Sequence, residues 1–580
     1  MHTIFRLYST RFFTVVLGVL WVLMLGSTGN AAEAILEGQR MHPAEGRQGM
    51  VATSHHEATR IALDVLKEGG NAIDAAVTAG FVLAVTQPRS GNIGGGGFML
   101  VSSEKTGEVV AIDYREKAPA GAFEKLFQDE NGDVVEERSR FSHLSAGVPG
   151  TVAGLALALE KYGTISLQDA LAPAIELAEN GFPVPPRFTE GTKSAEQRLK
   201  KWPSSTRHFY KEGGSAYEPG EVFVQKELAA TLRRISKEGV KGFYEGETAR
   251  LIVEDMKAHG GLITEEDLKN YQPVIRKPIH GNYRGYDVYS MSPPSSGGTH
   301  IIQILNTLEG YPIGDSGHNS AKTIHLMAEA MKVAYADRSE YLGDSDFIDV
   351  PLEALTSKAY AEEIRKHIDP DKARPSADIK PGNLEGFESN ETTHFSIADK
   401  FGNAVSNTYT INFSYGSGIV VPGAGFLLNN EMDDFSAKPG VPNAYGLLGG
   451  TANKIEPNKR MLSSMSPTIV KKDGKNYMIT GSPGGSRIIT TTLQVLLNVI
   501  DHGLNIQSAV SAPRVHHQWL PDEIRIEEGI SADTITLLES MGHSVVQKSA
   551  MGAIQSILID EALFLGAADP RNSTSSAMGF

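Results

Sequence analysis

The chain has 580 residues, 41% hydrophobic and 21% charged, an ordinary globular balance with length for one large or two medium domains. Its net charge of −15 disfavours nucleic acid as a partner. With no cysteine, it has no disulfides, thiol nucleophiles or cysteine-ligated metals.

In chain order, the first segment carries Arg6 and Arg11, the apolar run 12–25 and the small-residue stretch STGNAAEA. The run falls short of the roughly 20 residues a membrane span needs, so the pattern predicts a cleavable secretory signal over residues 1–32 and no lasting anchor. Its removal leaves 52 basic against 69 acidic residues, a net −17, on a protein expected to be periplasmic or secreted.

Ser54-His55-His56-Glu57 reads as a capping box opening a helix that Gly69-Gly70 ends. A second helix, apolar nearly all round and therefore buried, spans about 71–85 and stops before Pro88. The loop GNIGGGGF (91–98) leads into a strand at 98–102, with VVAIDYR (109–115) as hairpin partner. A long helix covers roughly 321–341, with Ile324, Met327, Met331 and Ala334 on one face. The stretch 369–391, rich in Pro, Gly and charge, predicts an exposed, mobile loop.

TTHFSIAD then reads as a strand, DKFGN as a turn and AVSNTYTIN as the returning strand. A hairpin centred near Phe401 pairs residues whose numbers sum to 802, to within one register step. Thr392 then faces Thr410, with the Asn412 amide just beyond. Threonine is a common strand former, so this pattern alone does not single out Thr392. Further on, NYMITGSPGGSRIITTTLQVLLNVI reads as a strand, a Gly-rich turn and a helix capped by Ser486. Backbone N–H groups of Gly484 and Gly485 at that helix start suit a negative charge. The Lys-Ser/Thr ending of a phosphate loop is missing, which favours an oxyanion as the guest.

The stretches KEGGNAIDAAV, GNIGGGGFML, DYREKAPA, SMSPPSSGG, ESNETTHFSIADKFGNAV, YTIN, LLNNEMDDFSAKPGVPN, PNKRMLSSMSPTIV and TGSPGGSRIITT carry a family resemblance. From about residue 49 to 571 the chain resembles the bacterial γ-glutamyltranspeptidases, of the N-terminal nucleophile hydrolase superfamily. The resemblance implies an α/β fold of four αββα layers and a precursor that cuts itself between Glu391 and Thr392. A large subunit (33–391) and a small subunit (392–580) would together form one catalytic domain. Cleavage would give Thr392 a free α-amino group, whose ordinary pKa of about 7.7–8.0 lets it serve as general base to its own hydroxyl.

By the same resemblance, Thr410 orients that amine, and Gly484 and Gly485 form an oxyanion hole. Arg115, helped by Ser463 and Ser464, takes the substrate α-carboxylate; Asn412 contacts substrate; Glu431 and Asp434 take the α-ammonium. The insertion 437–450 looks like a lid loop found in part of the family, with Tyr445 over the pocket. The implied partners are glutathione and other γ-glutamyl compounds, with water, an amino acid or a peptide as acceptor.

No cofactor is expected. Nor is a metal, because the pairs His55-His56 and His516-His517 lack the i, i+4 spacing of a helical zinc site. The sequence has no G-x-S-x-G elbow, which weakens a conventional serine hydrolase reading. Two further readings stand beside the leading one. A related acylase would act on glutaryl or cephalosporin side chains, and Glu431 and Asp434 argue against it; a non-catalytic glutathione binder would use the same pocket without chemistry.

Overall fold

Apolar side chains alternate along the strands, and the alternation sets the layers. In the strands Gly49–Thr53 and Gly96–Ser102, Val51, Met99 and Val101 join one apolar cluster, while Met50, Ala52, Phe98 and Leu100 join another. A strand apolar on both faces needs cover on both. The computed structural model describes residues 41–379 and 392–580, apart from 439, 442, 444, 445 and 448. The expected signal segment, Glu391 and Tyr445 lie outside the described residues.

The described chain forms two seven-stranded sheets, antiparallel throughout. The first runs, edge to edge, through Ser576–Gly579, Gly49–Thr53, Thr393–Asp399, Ala404–Thr410, Gly96–Ser102, Val109–Asp113 and Val274–Arg276. The second runs through Ala44–Gly46, Leu563–Ala568, Gln555–Asp560, Lys475–Thr480, Thr468–Lys472, Tyr286–Ser290 and Ile279–Tyr283. Between the sheets lies a shared apolar layer in which Phe98, Leu100 and Ala404 of the first join Ile469, Ile479 and Ile557 of the second.

Helices cover the outer faces. His56–Lys67 and Ala72–Thr86 pack on the first sheet, and every residue of Ala72–Thr86 is buried. Asn71 and Asp74 cap it reciprocally, so its start needs no help from solvent. Gly297–Leu308, Ala321–Tyr341 and Arg487–Ile500 cover the second sheet. The architecture is αββα, as the resemblance implies. Each of the two seven-stranded sheets contains strands from before and from after residue 392, so neither is built by one half of the chain alone. Among the described residues no helix is long and apolar enough to cross a membrane.

The hairpin register matches the expectation: Thr393 pairs with Tyr409 and Ala398 with Ala404. Three local expectations need correction. His55, not Ser54, caps the helix His56–Lys67, its Nδ1 accepting from the Glu57 N–H at 3.3 Å. The Ser54 hydroxyl turns inward, 2.5 Å from Gln87 Oε1 and 2.6 Å from Thr393 Oγ1. Ser486 does precede Arg487–Ile500, but its hydroxyl donates to Gln518 Oε1 at 2.7 Å instead of capping the helix. The expected exposed loop is partly packed down, because the Trp519 indole N–H donates to the carbonyls of Ser376 and Ile379, both of which are buried.

Candidate active site

The four glycines 94–97 are there because the backbone runs too close to its neighbours for a side chain. A Cβ on Gly95 would sit 2.0 Å from the Thr410 carbonyl oxygen, and one on Gly96 would sit 2.6 Å from Glu116 Oε2. Asn92 completes the grip: its Nδ2 donates to the Thr410 carbonyl at 2.9 Å, and its Oδ1 accepts from the Gly95 N–H and the Thr151 hydroxyl. The loop thereby fixes the end of the strand Ala404–Thr410, which faces the start of the strand Thr393–Asp399.

Behind that start lies His394, fully buried, with Nδ1 2.8 Å from Thr408 Oγ1 and Nε2 3.1 Å from Ser396 Oγ. Burial pushes its pKa down to about 3, so the ring is neutral and puts no cation beside Thr392. Gly481 makes room for it, since a Cβ there would lie 2.4 Å from the imidazole.

A cavity of about 310 Å³ opens where these elements meet. Thr392, Thr410, Asn412 and Gly485 line it, and so do Arg115, Glu431, Asp434, Ser463 and Ser464. Gly484 is not part of its wall, although both glycines hold left-handed backbone, φ +135° and +57°, which a side chain would strain. Thr410 Oγ1 accepts from the Asn412 N–H at 2.8 Å, and Asn412 Nδ2 donates to the Asn430 carbonyl at 2.9 Å. The Asn412 backbone is left-handed, φ +72°, a state asparagine tolerates better than most residues.

The charged side of the cavity is built on one short helical turn. Glu431–Asp434 places two acids three residues apart, and Asn429 braces the turn by accepting from the Glu431 N–H at 3.0 Å. Both carboxylates meet Arg115, which is fully buried: Nη1 pairs with Glu431 Oε1, and Nη2 lies 2.5 Å from Asp434 Oδ2. A third acid, Glu116, lies 3.6 Å from Arg115 Nη1, and its carboxylate oxygens make no hydrogen bond within the protein.

Sequence reasoning missed Arg338. It projects from Ala321–Tyr341, donating to Ser296 Oγ at 3.0 Å and Ser464 Oγ at 3.3 Å. Three residues earlier Tyr335 donates to the Ser486 carbonyl, so one helix face supports both sides of the cavity. A lone arginine in the last turn reads as an ordinary helix terminus, and nothing in the local pattern marks it as buried. Leu447, Met465, Ser486 and Ile488 complete the wall, and none of them was anticipated there. Leu447 belongs to the 437–450 insertion and is buried, so this segment does border the cavity.

Three acids against Arg115 and Arg338 leave the cluster with surplus negative charge. Burial pushes the Glu431 and Asp434 carboxyls above the usual carboxylate range, though Arg115 opposes the shift. Burial raises Glu116 to about 7 from 4.5. The folded state therefore holds more protons than the unfolded chain between about pH 4.5 and 7. The stability gained by that uptake is full below 4.5 and is lost as the pH rises through 7. Glu116→Gln should flatten this slope, with a ceiling of about 3 kcal/mol set by the size of the shift. Melting temperatures of both proteins between pH 5 and 8 measure it; parallel curves would contradict the assignment.

Neither histidine pair noted in the sequence forms a three-ligand cluster. Among the described residues, two other groups bring three possible ligand atoms within 4.8 Å: His143, Asp255 and His259, and His325, Glu329 and His543. In each an acid is already engaged, Asp255 with both histidines and Glu329 with Lys332.

The model of the family described as gamma-glutamyltranspeptidase matches residues 58–579. The glutathione hydrolase proenzyme of Escherichia coli strain K12 is 54% identical over 93% of this chain and 93% of its own length. A cephalosporin acylase from Bacillus halodurans superposes with a TM-score of 0.82 at 30% identity, over 93% of this chain and 97% of that one. A Helicobacter pylori gamma-glutamyltranspeptidase chain superposes at 0.56 with 52% identity, over 57% of this chain and 95% of that one. A family match across most of the sequence and a fold shared with solved relatives lead to one conclusion: the chain belongs to the γ-glutamyltranspeptidase family.

Proposed function

We propose that the protein is a self-cleaving γ-glutamyltranspeptidase and glutathione hydrolase, with Thr392 as cleavage point and nucleophile. The observation that carries this reading is one cavity lined both by Thr392 and by the buried Arg115, Glu431 and Asp434 cluster. After cleavage the Thr392 amine takes the proton from Oγ, and Oγ attacks the γ-amide carbon. The tetrahedral intermediate collapses by expelling the amine, which carries the proton away, and leaves a γ-glutamyl ester. Water or an acceptor amine then attacks the ester and restores Thr392. The backbone N–H groups of the 484–485 turn are suited to the developing oxyanion, where a single donor contributes about 10²–10³ in rate.

A γ-glutamyl group enters as a zwitterion, so the charge of the cluster need not change. Its α-carboxylate suits Arg115, with Ser463, Ser464 and the neighbouring Arg338 behind, and its α-ammonium suits Glu431 and Asp434. Asn412 is placed to contact the bound group. The 437–450 segment, with Leu447 already at the wall, is suited to act as a lid. The basic and apolar N-terminal pattern supports export to the periplasm or beyond.

The competing reading is an acylase of the kind the Bacillus halodurans structure represents. The paired acids Glu431 and Asp434 favour a substrate bearing an ammonium. Comparing γ-glutamyl-p-nitroanilide with glutaryl-p-nitroanilide separates the two, since they differ only by that ammonium. Losing one or two charge-assisted contacts of 1.5–3 kcal/mol each predicts a kcat/KM at least about tenfold lower for the glutaryl compound. Equal or better use of the glutaryl compound would reject the γ-glutamyl reading.

A further inference from the structure

Ser463 and Ser464 stand at the wall of the cavity, and a serine hydroxyl can either donate or accept. A carboxylate needs donors only. What decides the matter for each serine is which side of its oxygen the protein already occupies.

Ser464 Oγ accepts from Arg338 Nη2 at 3.3 Å, and Ser463 Oγ accepts from the Met465 N–H at 3.1 Å. Both serines are buried, and among the described residues neither hydroxyl proton meets an acceptor. Each hydroxyl is thus left with a proton to give. Ser463 is backed by a neutral amide and Ser464 by a cation, and a hydroxyl that accepts from a cation becomes the stronger donor.

Arg338 is itself fixed by the segment before Gly297–Leu308. Its Nε donates to Ser296 Oγ at 3.0 Å, and Ser296 gives its own proton to the Ser463 carbonyl at 2.9 Å. The Ser296 N–H donates to the same carbonyl at 2.9 Å, and Ser295 Oγ donates to the Met465 carbonyl at 2.6 Å. A Cβ on Gly297 would fall 2.2 Å from Ser466 Oγ, so the two segments approach as closely as a bare backbone allows. One guanidinium therefore ties the serine pair to this neighbour.

Arg338 is 5% exposed and lines the cavity, and burial lowers its pKa to about 10, which leaves it charged at neutral pH. Among the described residues it forms no ion pair; its two bonds go to serine hydroxyls, and Asp434 supplies only a field. A buried cation without a paired anion is a costly arrangement unless an anion arrives beside it. The substrate α-carboxylate is that anion, reached through Ser464.

We propose that Arg338 is a positioning residue that sets specificity at the γ-glutamyl site: it holds Ser464 as a hydrogen-bond donor, so that the two serines take a free α-carboxylate and reject a carboxamide in its place. A carboxamide presents an N–H to one of the two donors, and that pairing fails. The inference rests on the γ-glutamyl reading and adds to it a residue that acts without touching substrate.

The test uses the cleaved enzyme with γ-glutamyl-p-nitroanilide and the analogue whose α-carboxylate is replaced by carboxamide. Wild type should prefer the carboxylate at least about tenfold in kcat/KM. Arg338→Met should raise KM for the carboxylate compound at least about tenfold with kcat held within about threefold, and should narrow the preference; Ser464→Ala should do the same. Because Arg338 acts through Ser464, the double variant should be no more than about threefold worse than the poorer single variant. Arg338→Lys keeps the buried charge but cannot span Ser296 and Ser464 together, so it should shift KM and preference in the same direction should Arg338→Met fail to fold. An unchanged KM or preference in the Arg338 variants, or effects that multiply in the double variant, would overturn the inference and leave the γ-glutamyl reading standing. A wild type without a fragment starting at Thr392, or unable to use γ-glutamyl-p-nitroanilide, would overturn both.

Discussion

Thr392→Ala is expected to leave purification as one uncut chain whose γ-glutamyl turnover is at least about 10⁴-fold below that of the parent, as follows when an enzyme loses its nucleophile. In the proposed mechanism the same hydroxyl opens the backbone at residue 391 and later accepts the γ-glutamyl group, so one substitution removes both reactions. The fold should survive, because Thr392 precedes its strand and the pairing from Thr393 to Ala398 does not depend on it. Gel electrophoresis and circular dichroism of the variant make the check. A Thr392→Ala protein that matured normally would show that another group performs the cleavage.

The second large effect is at Arg115. Its guanidinium holds Glu431 and Asp434 in an interior where none of the three is more than slightly exposed. Arg115→Gln takes away the cation paired with Glu431, leaves only the field of Arg338 for Asp434, and removes the fork proposed for the substrate α-carboxylate. Breaking one partner out of a buried ion pair costs about 3–5 kcal/mol, so the variant should melt well below the parent. Losing two charge-assisted contacts to the substrate should lower kcat/KM by roughly 10²–10⁴, with a marked rise in KM. Self-cleavage involves no γ-glutamyl ligand, and so it should continue. Arg115→Lys should recover part of the stability but little of the affinity, since an ammonium cannot make the paired contact. An unchanged KM in Arg115→Gln, measured on folded and cleaved protein, would remove Arg115 from the binding account.

What the sequence revealed followed from short-range rules. The hairpin 393–410 could be registered from its turn alone, because a two-residue period leaves no slack once the centre is set. The helix Ala72–Thr86 was legible as buried because it has no polar face. The αββα layering and the roles of Arg115, Glu431 and Asp434 came from the family resemblance, since nothing local tells that residues 115 and 431 meet. Errors fell where a side chain had a distant partner. Ser54 has the local pattern of a cap, but Thr393 of the adjacent strand captures its hydroxyl; Ser486 is drawn to Gln518 in the same way. Arg338 was invisible because its importance depends on Ser296 and Ser464, each more than 40 residues away.

Both halves of the chain contribute strands to each seven-stranded sheet, so a cut before Thr392 would leave the folded body joined by its own hydrogen bonds and core. N-terminal sequencing of fully active protein, run under denaturing conditions, tests the central claim most directly. The account predicts two fragments, the smaller beginning Thr-Thr-His-Phe-Ser. Active protein with no fragment starting at residue 392 would contradict it.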